Sequence, residues 1–385
     1  MKFIISRNIL LQELNILNKI VPSVSANPVL MMIYFNVKED SIILKASDGN
    51  ISCSMNLKAT DDKNKTIIKD IEEGEFLVSA KYLFDMLSKL EDEFVNFNMV
   101  DSNFLSIYDS STDFNIVTRE AAEFPELDFN VDPDSQSFHI KSSELKLLFD
   151  KTSFAVATKS TKDMFYGINI SAKDGKLYFL ATDSFRMARY AIPNKSEKAE
   201  FKFTCPIKAL NVVSNLVKNQ EVEIIFDEKQ ALFKTDDLIL STRLYIGDFP
   251  SPERLIPSSF DYSITFDSDS FLKSVGRVVI LASLDGKQPT CKLTISRETG
   301  VTLSSYSEGN GDSKDNLSNC EYKLPDNEDV FEIGINTDYV QQAIKALDSK
   351  KATLVFTSPI RMFMAKNDDP DNIQILTPIR ITSSK

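Results

Sequence analysis

FLVSAKYLFDMLSKL, residues Phe76–Leu90, decides the fold because the chain writes it three times. FTCPIKALNVVSNLV begins 127 residues later at Phe203, and IGINTDYVQQAIKAL a further 130 residues on at Ile333. Each opens as a short β-type stretch and runs into an amphipathic helix. The aligned columns are Leu83/Leu210/Val340, Leu87/Ser214/Ile344 and Leu90/Val217/Leu347. They fall at i, i+4 and i+7, the buried stripe of a helix, and only Ser214 interrupts it.

A second helix precedes each of these. FIISRNILLQELNIL from Phe3, FHIKSSELKLLFDKTSF from Phe138 and ITFDSDSFLKSVGRVVIL from Ile264 align Leu10 with Leu145 and Phe271, and Leu14 with Phe149 and Val275. Between the two helices lies strand–turn–strand sequence with Asp or Gly at the turn, as in INISAKDGKLYFLATDS. Further strands follow the second helix, among them FNIVTRE, LILSTRLY and IQILTPIRIT. The chain of 385 residues is thus three copies of one α+β unit, two helices packed on antiparallel sheet, with a period near 128 residues. Each copy is long enough to bury its own core. Pro-, Ser- and Asp-rich links at DFNVDPDS and PSPERLIPSSF divide the chain into domains 1–132, 133–258 and 259–385.

Composition is that of a soluble globular protein, 42% hydrophobic and 26% charged. No apolar run is long enough for a bilayer and the N-terminus lacks a signal-peptide shape, so a cytoplasmic protein is expected. Cys53, Cys205, Cys291 and Cys320 stand singly, which predicts buried reduced thiols. The one histidine, His139, sits at a strand start and reads as a surface or core-edge residue. No nucleotide-binding glycine loop, HExxH, EF-hand or paired cysteine ligands occur, so no cofactor or metal and no catalytic constellation is expected. SEGNGDSKDN (Ser307–Asn316) reads as a mobile hairpin loop. The net charge of −12 argues against a nucleic-acid partner unless the charge is unevenly placed.

Four strings then carry a family resemblance. ATDSFRMA (Ala181–Ala188), FPSPERLIP (Phe249–Pro257), LTPIRI (Leu376–Ile381) and EFPEL (Glu123–Leu127), in order within a threefold repeat, resemble the β subunit of bacterial DNA polymerase III. The resemblance spans the whole chain. It implies a head-to-tail dimer of three-domain subunits closed into a ring around duplex DNA, with helices lining the hole and sheets outside. The expected function is a non-catalytic sliding clamp that gives a polymerase its processivity. The implied partners are duplex DNA, a second copy, the polymerase III alpha subunit, a clamp loader and repair polymerases, with no membrane. The helix windows 8–20, 80–92, 142–155, 207–219, 269–283 and 337–350 sum to +2, leaving −14 for the rest, the sign a mildly positive lining needs.

The resemblance also assigns residues. A client-peptide cleft would comprise Phe165, Thr182, Phe185, Arg186, Met187, Pro250, Arg254, Leu255, Ile375, Thr377, Pro378, Ile379 and Arg380. The DNA-facing candidates are Lys81, Lys89, Lys146, Lys151, Lys208, Lys218, Lys273, Arg277 and Lys345, with Lys159 and Lys162 in a pore-facing loop. The dimer seam would be an edge strand of the first domain meeting the third domain, the corresponding residues being Phe114 and Ile116 in FNIV and Ile280 and Leu281 in VVILAS. The sequence departs from the family twice: SVSANPVL carries no basic residue where some members have an arginine, and Phe185 replaces a histidine. A repeated protein-binding scaffold that never encircles DNA is the competing reading, and it would be a monomer.

Overall fold

The structure is a computed structural model and describes residues 1–61, 63–101, 103–195, 200–215, 220–251, 256–257, 259–283, 289–307 and 309–380. The first repeat forms β1 (Lys2–Ser6), α1 (Arg7–Leu17), β2 (Met32–Lys38), β3 (Ser41–Ser47), β4 (Ile51–Lys58), β5 (Ile68–Glu72), β6 (Gly74–Ser79), α2 (Ala80–Leu87), β7 (Phe94–Met99), β8 (Phe104–Tyr108) and β9 (Asp113–Val117). The second forms β10 (Gln136–Lys141), α3 (Ser142–Thr152), β11 (Gly167–Lys173), β12 (Lys176–Thr182), β13 (Arg186–Pro193), β14 (Phe201–Pro206), α4 (Ile207–Ser214), β15 (Glu221–Phe226), β16 (Gln230–Lys234) and β17 (Leu238–Arg243). The third forms β18 (Tyr262–Asp267), α5 (Ser268–Ser283), β19 (Thr290–Ser296), β20 (Gly300–Ser307), β21 (Gly311–Leu317), β22 (Glu321–Lys323), β23 (Val330–Asn336), α6 (Thr337–Leu347), β24 (Lys351–Phe356), β25 (Phe363–Lys366) and β26 (Ile373–Leu376).

Every repeat therefore contains two three-strand meanders. Cα proximity groups the chain into two compact units, Met1–Lys146 with Cys205–Ile246, and Leu147–Thr204 with Gly247–Lys385. The first unit holds a five-stranded sheet, β5-β1-β7-β8-β9, and an eight-stranded one, β10-β15-β16-β17-β4-β3-β2-β6. In the second sheet the antiparallel joint β17–β4 ties two repeats together, from Leu238 opposite Met55 to Thr242 opposite Ile51. The other unit holds a nine-stranded sheet, β14-β11-β12-β13-β26-β25-β24-β18-β22, and a four-stranded one, β21-β20-β19-β23. Here the antiparallel joint is β13–β26, from Arg186 opposite Leu376 to Arg189 opposite Ile373. Both joints follow one rule: the last strand of one repeat's first meander pairs with the last strand of the next repeat's second meander. Two such strands remain at sheet edges, β9 beyond β8 and β21 beyond β20.

The aligned helix columns are core. Leu10, Leu145, Phe271, Leu83, Leu210 and Val340 have no exposed surface. Alternation along β4 (ISCSMNLK) puts Ile51, Cys53, Met55 and Leu57 inside, the period-two signature of a strand with one covered face. Aromatic pairs weld helix entry to sheet: Phe3 stacks on Phe97 at 4.6 Å, Phe35 on Phe76 at 4.8 Å and Phe266 on Phe271 at 4.0 Å. Ser214, the odd member of its column, is buried, and its hydroxyl donates to the Asn211 carbonyl.

Two second helices are shorter than their periodicity implies. α2 stops at Leu87, with Leu90 buried beyond it, and α4 stops at Ser214. Short polar side chains take the last carbonyls: Ser88 Oγ donates to Asp85 O at 2.7 Å, and Asn215 Nδ2 to Asn211 O at 2.6 Å. α6 runs to Leu347 because Asn336 caps it, accepting from the Asp338 and Tyr339 amides, and Asp348 turns left-handed at φ +51°. The stretch expected as a mobile hairpin loop is mostly strand: Gly311–Leu317 is β21. Ser305 and Ser313 face each other at 2.9 Å, and both hydroxyls donate to Val278 O of α5 at 2.6 Å. His139 is exposed on β10.

Three cysteines are buried as expected, and Cys320 is half-buried. Burial pushes the Cys53 and Cys205 thiols far up, that of Cys291 to about 12 and that of Cys320 upward. Cys320 alone is accessible to solvent. In the native protein a disulfide-exchange reagent such as Ellman's should therefore label one thiol per chain, faster as pH rises, and all four after unfolding. Rapid native labelling of two or more thiols would contradict the burial described above.

Candidate functional site

The string ATDSFRMA builds a tight turn between β12 and β13. Thr182 Oγ1 accepts the Ser184 amide at 3.1 Å and donates to Arg186 O at 2.6 Å. Asp183 Oδ1 accepts the Phe185 and Arg186 amides, each at 2.9 Å, and its Oδ2 holds Arg186 Nε at 3.0 Å. Ser184 sits in the left-handed region at φ +78°, a strained position for a residue with a Cβ. The turn drives the Phe185 ring outward, 59% exposed. Its carbonyl is held by the Thr377 amide at 2.9 Å and the Thr377 hydroxyl at 2.8 Å. The Arg186 guanidinium lies 4.3 Å from the Tyr339 ring centre and 5.4 Å from that of Phe154, and donates to Gln342 Oε1.

Beside this turn lies an apolar cluster distinct from the main core of its unit. Phe165, Leu180, Met187, Phe249, Val355, Met364 and Ile375 are buried in it, with Ile256 and Met362 partly so. Phe165 and Phe249 meet edge-on at 5.8 Å. Above it opens a groove of about 570 Å³ lined by Ile256, Pro257, Ile360, Arg361, Met362, Thr377 and Pro378. Ile360 is 84% exposed at its rim. An apolar floor with a few fixed polar groups suits a short peptide carrying aliphatic or aromatic anchors.

The expected cleft residues take distinct places. Phe165, Met187 and Ile375 form the buried floor, and Thr182 is buried as the turn's scaffold. Thr377 and Pro378 line the groove, Phe185 adjoins it through the Thr377 hydrogen bonds to its carbonyl, and Arg186 packs over Tyr339. Pro250 lines a neighbouring groove with Tyr178 and Leu180. Ile379 donates its amide to Gly334 O at 2.8 Å, Arg380 is exposed, and Arg254 and Leu255 lie outside the described residues. Sequence reading missed Tyr339, Ile360 and Met362. The signal for Ile360 was an apolar residue inside the turn TSPIR; for Tyr339 it was an aromatic in the first turn of a capped helix.

The basic residues divide into two groups. Lys81, Lys89, Lys146, Lys159, Lys162, Lys273 and Lys345 are exposed. Lys151 is a correction: it is 8% exposed, with its ammonium 3.4 Å from Asp348, so it faces protein rather than solvent. Lys208 is tied to Asp48 at 2.5 Å and to Ile20 O at 2.8 Å, and Arg277 to Asp315 at 2.5 Å. Lys218 lies outside the described residues. For the seam, Phe114 and Ile116 lie on the edge strand β9. Ile280 and Leu281 belong to α5, which packs along β20 and the edge strand β21. Ile280 is 58% exposed. Among the described residues, no helix is long and apolar enough to cross a membrane, and no group of three or more His, Cys, Asp or Glu could hold a metal ion.

Comparison with known proteins matches three family profiles in chain order: the DNA polymerase III beta subunit N-terminal domain over residues 1–128, central domain over 139–251 and C-terminal domain over 253–380. Curated relatives called beta sliding clamp include one from Streptococcus pneumoniae, 26% identical over 98% of this chain and 99% of its own length. Another, from Halalkalibacterium halodurans, is 27% identical over 99% and 100%. Among solved structures, the polymerase III beta chain of Streptococcus pneumoniae aligns at TM-score 0.87 and 25% identity, over 99% of this chain and all of that one. A Pseudomonas aeruginosa sliding clamp bound to griselimycin shares the fold at TM-score 0.85 and 21% identity, with the same coverage.

Proposed function

The chain belongs to the DNA polymerase III beta subunit family, and from that membership we propose that two copies close head to tail into a ring that holds duplex DNA by enclosure. The observation that carries this is the pair of unmatched edges, β9 and β21. The two joints within the chain follow a rule that these strands alone leave incomplete, and a second copy completes it. The five-stranded and four-stranded sheets would then become one continuous sheet, comparable to the eight- and nine-stranded ones. Strand starts at Ile51, Arg186 and Gly311 correspond, as do Thr118, Thr242 and Thr377. Transferring both joints sets Val117 opposite Gly311 or Asp312 of the partner copy. Phe114, Ile116, Ile280 and Leu281 would lie at this seam. Three domains per chain, 1–132, 133–258 and 259–385, give the ring six.

A clamp must slide, so its contacts to DNA have to be weak, exchangeable and blind to sequence. Exposed lysines on mobile stems serve this: Lys81, Lys89, Lys146, Lys159, Lys162, Lys273 and Lys345 are the candidates. The acidic remainder discourages loose adhesion to DNA from outside. The groove beside Phe185 and Arg186 is the docking site for client peptides, the polymerase III alpha subunit, the clamp loader and repair polymerases among them. Met187, Met362 and Met364 suit varied anchors, because thioether chains repack cheaply. The clamp contributes no catalytic step and works in the cytoplasm.

Two experiments check this reading. Loaded onto nicked circular DNA, the protein should stay bound through gel filtration and come off when the circle is cut; retention independent of topology would contradict enclosure. For the groove, Met187→Ala and truncation after Leu376 should each weaken a client peptide about tenfold or more, the loss of one buried anchor contact, with the dimer intact. Unchanged affinity in both variants would reject the site.

A further inference from the structure

Two arginines near the client groove differ in what they hold. Arg186 is fully engaged: Asp183 takes its Nε at 3.0 Å, Gln342 takes a second donor, and the guanidinium lies over the Tyr339 ring. Arg361 lines the groove between Ile360 and Met362. It is exposed, and among the described residues its guanidinium meets no carboxylate, carbonyl or ring. The rest of the described lining has no side-chain donor to spare. Ile256, Ile360 and Met362 are apolar, and Pro257 and Pro378 lack even a backbone N–H. Thr377 spends its amide and its hydroxyl on the Phe185 carbonyl, at 2.9 Å and 2.8 Å. The groove is therefore an apolar trough with a single free fork of donors, on a cation that no lining carboxylate neutralises.

We propose that Arg361 selects client peptides that carry an aspartate or glutamate directly beside an apolar anchor. The inference rests on the reading of this groove as the client site, and it names what that site reads besides apolar bulk. An extended peptide alternates its side chains, so the residue next to an anchor that enters the trough points back toward the rim. Ile360 stands at that rim, 84% exposed, and Arg361 follows it in the chain. A side-chain carboxylate there can take paired N–H donors from the guanidinium, a geometry that an asparagine amide does not reproduce. Apolar anchors buried beside an arginine are the composition of a binding hot spot. The pair stays in contact with solvent, so it sets a preference rather than a requirement, and salt weakens it.

The test is fluorescence anisotropy on the intact protein with end-blocked hexapeptides that carry two leucines and a phenylalanine, with either aspartate or asparagine between the leucines. At low salt the aspartate peptide should bind about fivefold tighter, the worth of one partly solvated charge pair. High salt should shrink that ratio, and Arg361→Gln should bring it to one. Met187→Ala should weaken both peptides alike, because both share the floor it removes. Equal binding of the two peptides, or a ratio that survives Arg361→Gln, overturns the proposal and leaves the client groove standing. An asparagine peptide that matches the aspartate one through a free C-terminal carboxylate also overturns it, since Arg361 would then read the terminus and not a side chain. If neither peptide binds, or Met187→Ala leaves both at full affinity, the groove reading falls and the proposal falls with it.

Discussion

A β-strand at a sheet edge carries a row of unpaired backbone donors and acceptors, and this molecule is organised around where those rows are satisfied. Each repeat ends both of its meanders in such a strand. β4 is closed by β17 and β13 by β26, all antiparallel. That leaves β9 and β21, and bare edges of this kind invite pairing with another chain. Triplication with this joining rule thus creates one unsatisfied edge of each type, and head-to-tail self-association is the simplest way to satisfy both. Enclosure of DNA then follows from topology, and tight phosphate contacts would only hinder sliding.

Repetition sets out equivalent positions, and side chains decide which become sites. The turn at the β17–β4 joint resembles the one beside the groove: Asp48 Oδ1 accepts the Asn50 and Ile51 amides as Asp183 Oδ1 accepts those of Phe185 and Arg186. There the resemblance stops. Lys208 reaches over from α4 to Asp48; burial pushes that carboxyl up, but the Lys208 hydrogen bond and the two amides outweigh it and hold it below its usual value. At the other turn the cation is Arg186 itself, laid between aromatic rings, which leaves Phe185 and Ile360 at the surface. The apolar groove described here accordingly lies at this joint, although the backbone plan occurs twice in the chain.

The fold was legible because burial obeys period. Leu10, Leu145 and Phe271 align in the sequence and are all fully buried in space. Helix ends were less legible, since the hydrophobic stripe continues through Leu90 after the backbone has left the helix; Ser88 and Asn215 stop it by local hydrogen bonds that periodicity does not register. Lys151 was misread for a related reason. A lysine at a helical position reads as solvated unless its partner is known, and Asp348 lies almost two hundred residues away. The floor of the groove was readable through the resemblance, in Phe165, Met187 and Ile375. Ile360 at the rim, Met362 beside the floor and Tyr339 under the Arg186 guanidinium were not, because they lie on a loop and a helix start that carry no motif of their own. Ile280 and Leu281 lie in the helix that periodicity placed there, α5, and were named for the seam through the resemblance.

The most direct measurement is amide hydrogen exchange over Asp113–Val117 and Gly311–Leu317, followed as the protein is diluted. If these strands pair across two copies, their amides should exchange as slowly as those of β4 and β17 at high concentration and lose that protection together on dilution, while β4 and β17 keep theirs. Rapid exchange of both edges at every concentration would contradict the account, because the strands would then be bare.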